Sequence, residues 1–254
     1  MTQAGNDDWL EVQHNIYPGP YTGWVRRGEL VKLADAAAYF TEKIRADPDK
    51  VWAWRNRAIA WTQKGEHENA IKDLTEVIRL QPSDWSYIAR ATAWASKGDQ
   101  DRAIADCTEA IRMNPTRAAA FSNRGVFWKQ KGELGKAIAD YREAIRLDSK
   151  YTDPLNNLAW LQATCPDAKY RDGADAVALA TKACELTAWT NASFIETLAA
   201  AHAETGDFGK AVDFQKKARV TPGQSEAEAR SIGELLKLFE AMTPYRQPPP
   251  AKKE

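Results

Sequence analysis

The sequence predicts an all-α fold, an α-solenoid of stacked helical hairpins rather than one globular core. The first reason is a repeat of 33 or 34 residues, which runs through residues 51–151. Repeats of this length typically form one hairpin each, and every hairpin buries its apolar face only against its neighbours. The second reason is that the same residue types recur at fixed positions of the repeat. These are Gly65, Gly98 and Gly132; Ala70, Ala103 and Ala137; Trp61, Trp94 and Trp128; Pro82 and Pro115.

Each repeat divides into two helices at its glycine. If this glycine is numbered position 15, the first three repeats are residues 51–84, 84–117 and 118–151. Glycine suits the end of a helix because it adopts the left-handed conformation at little cost. The prolines end the second helix, which they cannot continue. Small residues at positions 8 and 20 allow the two helices of a hairpin to approach closely. They are Ala58, Ala91 and Gly125 at position 8 and the three alanines above at position 20.

These positions resemble the tetratricopeptide repeat, whose signature has Trp, Leu, Gly, Tyr, Ala, Phe and Pro at the same offsets. The resemblance implies a right-handed superhelix of about five repeats, in which the first helices line a concave groove. It also implies a protein-binding module. The run NNLAWLQATCPDAKYRDG resembles a signature of bacterial multi-repeat proteins of this family.

One departure from the family pattern is systematic. Position 7, usually leucine in the family, is arginine in three repeats, and position 23 is aspartate in the same three. In the later repeats both positions become apolar together. A partly buried arginine needs an anionic partner, so the pattern predicts structural ion pairs. The predicted pairs are Arg57 with Asp73, Arg90 with Asp106, and Arg124 with Asp140.

The fourth and fifth repeats are predicted at residues 152–191 and 192–221. In the fourth, the glycine turn is replaced by a longer loop at 163–173, and the repeat has five additional residues. Insertions in solenoids often lie at a binding edge, so this loop is one candidate for recognition. The alternative is a structural loop that buries Cys165 and Tyr170.

The two ends of the chain depart from the repeat. Residues 34–48 match only the second helix of a repeat and are expected to dock as a half-repeat, so that the solenoid covers 34–222. Residues 1–33 read as short strands around a turn and resemble the last strands of a bacterial SH3-like barrel. Residues 223–242 are predicted to form a capping helix. The proline-rich residues 243–254 are predicted to be disordered, with Pro248 to Pro250 as a possible docking motif.

The composition limits the classes of function. Lys and Arg total 35, as do Asp and Glu, so the formal net charge is zero and no nucleic-acid partner is expected. No apolar run reaches the roughly 18 residues of a membrane span. The first residues lack the features of a signal peptide. The expected localisation is cytoplasmic as the chain stands, and periplasmic or at the cell envelope if a longer precursor carries an N-terminal signal.

The sequence offers little for catalysis. Its three cysteines and three histidines show neither metal-ligand spacing nor a disulfide framework. No cysteine or serine has a nearby histidine with an orienting partner, and His202 is expected to pack between helices. We therefore expect no enzymatic activity, no cofactor and no metal.

The candidate binding site lies on the groove positions 2, 5, 6 and 9 of the first helices. Asparagine recurs at position 6, and one amide offers both a donor and an acceptor to an extended peptide. The alternative is that these amides bond locally within their helices. The carboxylate clamp of the family is interrupted at its other positions, so binding of an acidic C-terminal tail is not expected. The candidate residues are Trp52, Arg55, Asn56, Trp85, Asn123, Asn156, Asn157 and Trp160.

The function predicted from these patterns is a non-enzymatic protein–protein interaction scaffold that binds an extended segment in the groove. The alternative is a structural or regulatory module of a larger cell-envelope protein, in which the SH3-like part contacts the cell wall or another protein. The sequence identifies neither the partner nor the oligomeric state.

Overall fold

The structure, a computed structural model, describes residues 9–16, 19–26 and 33–248. The chain divides into two compact units, Met1–Met113 and Asn114–Glu254. The first compact unit holds β1 (Trp9–Ile16), β2 (Gly19–Arg26), α1 (Leu33–Ala46), α2 (Val51–Gln63), α3 (His67–Leu80), α4 (Asp84–Ser96) and α5 (Gln100–Met113). The second holds α6 (Ala118–Gln130), α7 (Leu134–Leu147), α8 (Thr152–Thr164), α9 (Gly173–Leu186), α10 (Ala192–Glu204), α11 (Phe208–Val220) and α12 (Glu226–Glu240).

The first compact unit begins with two strands. β1 and β2 pair antiparallel, with Trp9 opposite Arg26 and Ile16 opposite Gly19. Parts of the predicted SH3-like segment, residues 1–8, 17–18 and 27–32, lie outside the described residues. The SH3-like assignment therefore stays a prediction.

Helix α1 packs against α2. The ring of Phe40 meets the ring of Trp52 edge-on, with centroids 6.2 Å apart. Thr41 Oγ1 accepts a hydrogen bond of 2.9 Å from Arg57. These contacts give α1 the neighbour that a lone helix with one apolar face requires.

The helical hairpins close at their glycines. In the first compact unit α2 pairs with α3 and α4 with α5; in the second α6 pairs with α7, α8 with α9 and α10 with α11. Gly65, Gly98, Gly132 and Gly206 have φ between +75° and +82°, the region that favours glycine. The following N–H then bonds back into the first helix, as Glu66 does to the carbonyl of Trp61 at 2.8 Å. This backbone bond satisfies a carbonyl that the helix end leaves open.

The small residues lie where the two helices of each hairpin meet. Ala58, Ala91, Ala70, Ala103 and Ala137 are all almost completely buried. In α6 the small residue is Gly125, and a Cβ there would lie 2.8 Å from the ring of Tyr141 in α7. Position 24, where Tyr141 lies, is the smaller Leu74 or Cys107 in the first two repeats. A larger residue on one helix is thus matched by a smaller one on the other.

Each of the three arginines at position 7 lies against its aspartate at position 23. In the first, Arg57 Nε and Nη2 each donate a hydrogen bond of 2.8 Å to a different oxygen of Asp73. The two side chains are 15% and 4% exposed. The same two-bond geometry joins the other two pairs, at 2.7–2.8 Å. In the fourth and fifth repeats these positions carry Leu158 and Leu179, and Leu198 and Phe214, which belong to apolar clusters.

The loop between α8 and α9 is held by packing and by an arginine. Cys165 is 3% exposed and belongs to a buried cluster against which Tyr170 packs. Arg171 Nη1 donates hydrogen bonds of 3.0 Å to the carbonyls of Cys165 and Pro166. These contacts correspond to the structural interpretation of the loop.

Helix α12 covers α11. Its apolar residues Ile232, Leu235, Leu236 and Phe239 are buried, and its N-terminus is capped by Ser225. Residues 243–248 follow it and are described by the structure, whereas the sequence predicted disorder for residues 243–254. The N–H of Gln247 donates a 2.8 Å hydrogen bond to the carbonyl of Thr164 in α8. Residues 249–254, with two of the three prolines of the predicted docking motif, lie outside the described residues.

Across the described ranges, none of the helices combines the length and the apolar character needed to cross a membrane.

The buried ion pair should be replaceable by an apolar pair, as in the later repeats. We expect Asp73→Leu to lower the free energy of unfolding by about 3 kcal/mol, because it removes the carboxylate that pairs with the largely buried Arg57 guanidinium. We expect Arg57→Leu with Asp73→Leu to recover most of that loss. Urea denaturation followed by circular dichroism measures both. Arg45→Leu, at an exposed pair with Glu42, is the matched control and should cost less than about 1 kcal/mol. A double variant as unstable as Asp73→Leu would show that an apolar pair cannot take this place.

The contact between Gly125 and Tyr141 should appear as a coupling energy. Gly125→Ala normally favours a helix by about 1 kcal/mol, but here the added methyl must displace the Tyr141 ring, and overpacking costs about 1–3 kcal/mol. We expect Gly125→Ala to destabilise the natural chain and to stabilise a Tyr141→Leu background. A double-mutant cycle by urea denaturation measures the coupling. Equal effects of Gly125→Ala in both backgrounds would contradict the size matching.

Candidate functional site

A cavity opens on the second compact unit where α6, α8 and α10 lie side by side. Its volume is about 270 Å³, and α8 contacts both of the other helices. Three predicted groove residues line it, each an asparagine, and we call it the amide cavity. The lining residues are Ser122, Asn123, Val126, Tyr151, Asp153, Asn156, Asn157 and Phe194.

The helical period places the asparagines on this surface. Positions 4 and 8 of α8, Leu155 and Ala159, are fully buried against the rest of the compact unit. Positions 5 and 6, Asn156 and Asn157, follow around the helix and stay half-buried. Asn123 occupies position 6 of α6 and is also half-buried. The repeat thus brings three amides from two helices to one opening.

The cavity contains an acceptor without a donor. Asn156 Oδ1 is buried and receives no hydrogen bond from the described part of the chain. A buried acceptor in this state costs about 1–3 kcal/mol. A turn of the Asn156 side chain would bring this oxygen into the cavity, where a backbone N–H of a bound segment would supply the missing donor.

Asp153 gives the cavity a negative charge at its rim. Although the residue is exposed to solvent on one side, the surrounding protein desolvates its carboxyl and raises its pKa above the ordinary value. A cation or a hydrogen-bond donor would stabilise the ionised form. The cavity therefore favours neutral amide donors and positively charged groups over anions.

The predicted groove residues of the first compact unit contact their own helix or one another. Asn56 Nδ2 donates a 2.9 Å hydrogen bond to the carbonyl of Trp52 in its own helix. This is the local bonding that the sequence left as the alternative. The guanidinium of Arg55 lies over the ring of Trp85, 4.6 Å from its centroid. Trp52 is 46% exposed.

Trp160, the remaining predicted residue, lies outside the amide cavity. Its ring contacts the ring of Tyr245, with centroids 5.8 Å apart. The next residue, Arg246, pairs with Glu204 at 2.6 Å. Residues 243–248 thus cover part of the predicted groove.

Sequence reasoning missed several residues of this surface. Asp153 occupies groove position 2 of the fourth repeat, so extending the position analysis to every repeat would have found it. Ser122 occupies groove position 5, which the position analysis covered, but it was not selected as a candidate. Tyr151 and Phe194 line the cavity without such a signal. Tyr245 and Arg246 were missed because the proline-rich composition around them indicated disorder.

Other chemically capable residues do not form a site. Cys107, Cys165 and Cys184 are buried and are not joined by disulfides. Burial raises the pKa of Cys184 to about 12, so this thiol stays protonated at neutral pH and is a poor nucleophile. His202 stacks on Phe214 at 5.4 Å, and burial lowers its pKa. Within the described ranges, no three His, Cys, Asp or Glu residues are grouped so as to hold a metal.

Comparison with known proteins identifies the repeat. The tetratricopeptide repeat family model matches residues 29–84 and 88–152, which confirms the predicted repeats over those residues. No curated protein sequence matches the chain.

Solved structures share the fold at low sequence identity. A chain in the crystal structure of the Cut9–Hcn1 hetero-tetramer of APC/C has a TM-score of 0.66 and 19% identity, over 82% of this chain and 39% of that chain. Yeast Tom70 has a TM-score of 0.65 and 18% identity, over 84% of this chain and 45% of the Tom70 chain. PilW, a type IV pilus biogenesis factor, has a TM-score of 0.66 and 16% identity, over 79% of this chain and 90% of the PilW chain. This chain therefore spans less than half of the first two chains. The likeness shows an all-α fold of the tetratricopeptide-repeat type.

Proposed function

We propose that this chain is a non-enzymatic protein–protein interaction scaffold and that it binds an extended segment of a partner protein at the amide cavity. The observation that carries the proposal is the buried Oδ1 of Asn156, which has no donor among the described residues, in a cavity that Asn123 and Asn157 also line. Backbone N–H and C=O groups of an extended segment match these amides, since each amide can donate and accept.

The size and charge of the amide cavity agree with this proposal. A volume of about 270 Å³ is at the lower limit of small-molecule pockets and is suited to a few residues of a peptide. The Asp153 carboxylate favours a segment with a positively charged or donor side chain. The Cut9–Hcn1 structure is a hetero-tetramer, and for this chain we propose by analogy that the repeats serve assembly with another protein.

The proposal predicts that partner binding depends on asparagines of the second compact unit. We expect Asn123→Ala with Asn156→Ala to lose at least tenfold in the amount of partner retained from source lysate, because two hydrogen bonds of about 1 kcal/mol each are removed. Quantitative mass spectrometry of the retained proteins measures the loss. Circular dichroism checks that the variant keeps its helicity.

Asn56→Ala is the matched control. It changes the same residue type at the same repeat position, but its Nδ2 already bonds to Trp52, so we expect no change in partner retention. A partner retained equally by the natural chain and by the double variant would refute binding at the amide cavity. A partner lost only with Asn56→Ala would move recognition to the first compact unit.

The cell-envelope alternative rests on residues 1–33. The family match begins at residue 29 and overlaps only the last five residues of this segment. The SH3-like character of the segment is proposed from its sequence together with the pairing of β1 and β2. Co-sedimentation of the full chain with purified peptidoglycan tests it. The division into a β segment, a solenoid at 34–222 and a capping helix at 223–242 is likewise a proposal.

A further inference from the structure

A second site lies beside the amide cavity, at the C-terminal end of α8. It consists of the Trp160 ring, the Glu204 carboxylate and the carbonyls of Ala163 and Thr164, and we call it the aromatic–arginine site. Residues 243–248 of the same chain, the docked segment, occupy it. Tyr245 contacts Trp160, Arg246 contacts Glu204 and Ala163, and Gln247 bonds to Thr164.

The irregular fourth repeat leaves these carbonyls open. In α6 the turn glycine and its neighbours bond back to the last carbonyls of the helix, as Glu133 does to Trp128 at 2.9 Å. After α8 the loop is longer. Its backbone N–H groups bond back at Cys165, to the carbonyl of Leu161 at 3.0 Å, and at Asp172, to the carbonyl of Gln162 at 3.1 Å, and neither bond reaches Ala163 or Thr164. The carbonyls of Ala163 and Thr164 then need other donors.

The docked segment supplies those donors. Gln247 N–H bonds to the Thr164 carbonyl at 2.8 Å, and Arg246 Nη1 bonds to the Ala163 carbonyl at 3.4 Å. A cation is also favoured here because the C-terminus of a helix carries a partial negative charge. The backbone of the site thus selects an extended segment with a positive side chain.

Glu204 strengthens the selection for arginine. Its side chain is only 13% exposed, and Arg171 pairs with its Oε1 at 2.9 Å. Its Oε2 is buried and meets Arg246 Nη2 at 2.6 Å, but it accepts no hydrogen bond of regular geometry from the described residues. If Arg246 left, Arg171 would stay paired with Oε1, and Oε2 would be a buried carboxylate oxygen with no guanidinium beside it. Such an atom favours a replacement arginine from another segment.

The aromatic contact fixes the residue that precedes the arginine. Trp160 and Tyr245 meet at a tilt of 41°, and Tyr245 also packs on the apolar cluster of α8, α10 and α12. Aromatic pairs of this kind add about 0.5–1.5 kcal/mol beyond the buried area. The site therefore recognises two adjacent side chains, an aromatic one and an arginine.

We propose that the aromatic–arginine site recognises an extended protein segment in which an aromatic residue is followed by arginine, and that Tyr245 and Arg246 of the chain itself occupy it as a displaceable intramolecular ligand. The inference rests on the proposed function in that the same first-helix surface binds a partner segment. It adds the chemistry of that segment and a competition that sets its apparent affinity.

The test uses a fluorescein-labelled peptide with the sequence of residues 243–248, TPYRQP, and full-length protein. We call the double variant Tyr245→Ala with Arg246→Ala the open variant. We expect it to bind the peptide at least tenfold more tightly than the natural chain, measured by fluorescence polarisation, because the internal competitor is removed. We expect the peptide TPARQP and the peptide TPYAQP each to bind that variant at least fivefold more weakly.

Further variants locate the binding. Adding Glu204→Gln to the open variant should weaken peptide binding about tenfold, since it removes a charge-assisted contact. Adding Glu240→Gln, at an exposed carboxylate of α12, should leave it unchanged. Trp160→Ala provides a second variant if Glu204→Gln proves unstable, and light scattering of the natural chain should report a monomer.

Three results would overturn the proposal. Equal peptide affinity for the natural chain and the open variant would show that the docked segment does not compete, and absence of binding to both would show that the site does not recognise this chemistry. If the natural chain were a dimer and the open variant a monomer, the docked segment would bind a second copy of the chain instead of its own. Each result leaves the asparagine-dependent partner retention intact, so the failure of this inference is distinguishable from a failure of the proposed function.

Discussion

The close approach of two helices at small residues is the constraint on which each hairpin depends. Alanine at positions 8 and 20 is almost fully buried in every repeat that has it, so neighbouring side chains must fit a fixed and narrow separation. Gly125 shows how tight the limit is, because a single methyl would collide with Tyr141. The Tyr141 hydroxyl is buried without a partner among the described residues, and burial raises its pKa. Here the fit of the ring outweighs the polar cost.

Positions 7 and 23 carry a polar pair in the first three repeats and an apolar pair in the last two. Three hairpins join their helices by an arginine–aspartate pair, and the two later hairpins use leucine and phenylalanine. In the arginine–aspartate pairs, the two hydrogen bonds that each arginine donates fix the orientation of the guanidinium relative to the carboxylate. In the apolar pairs, packing supplies the stability without a desolvation cost. The repeat therefore fixes the geometry of the contact more strictly than its chemistry.

The repeat could be predicted from the sequence because its determinants are local and periodic. Gly65, Ala70 and Arg57 each follow from a position in a 34-residue pattern, and the structure places them accordingly. The amide cavity could be predicted from the sequence only in part. Position analysis identifies Asn123 and Asn157, but Phe194 joins them through the packing of three helices, which no single repeat encodes. The docking of the segment that contains Tyr245 could not be predicted from the sequence, because it depends on contacts between residues more than 80 positions apart.

The order of synthesis gives this long-range contact a consequence. A chain is made from its N-terminus, so the residues of α8 and α10 are translated before Arg246 and Gln247. During that interval the carbonyls of Ala163 and Thr164 are served by water, and Glu204 has Arg171 as its cation. The nascent chain therefore exposes on the ribosome a surface that the finished chain covers, and a segment that engages it then meets no internal competitor.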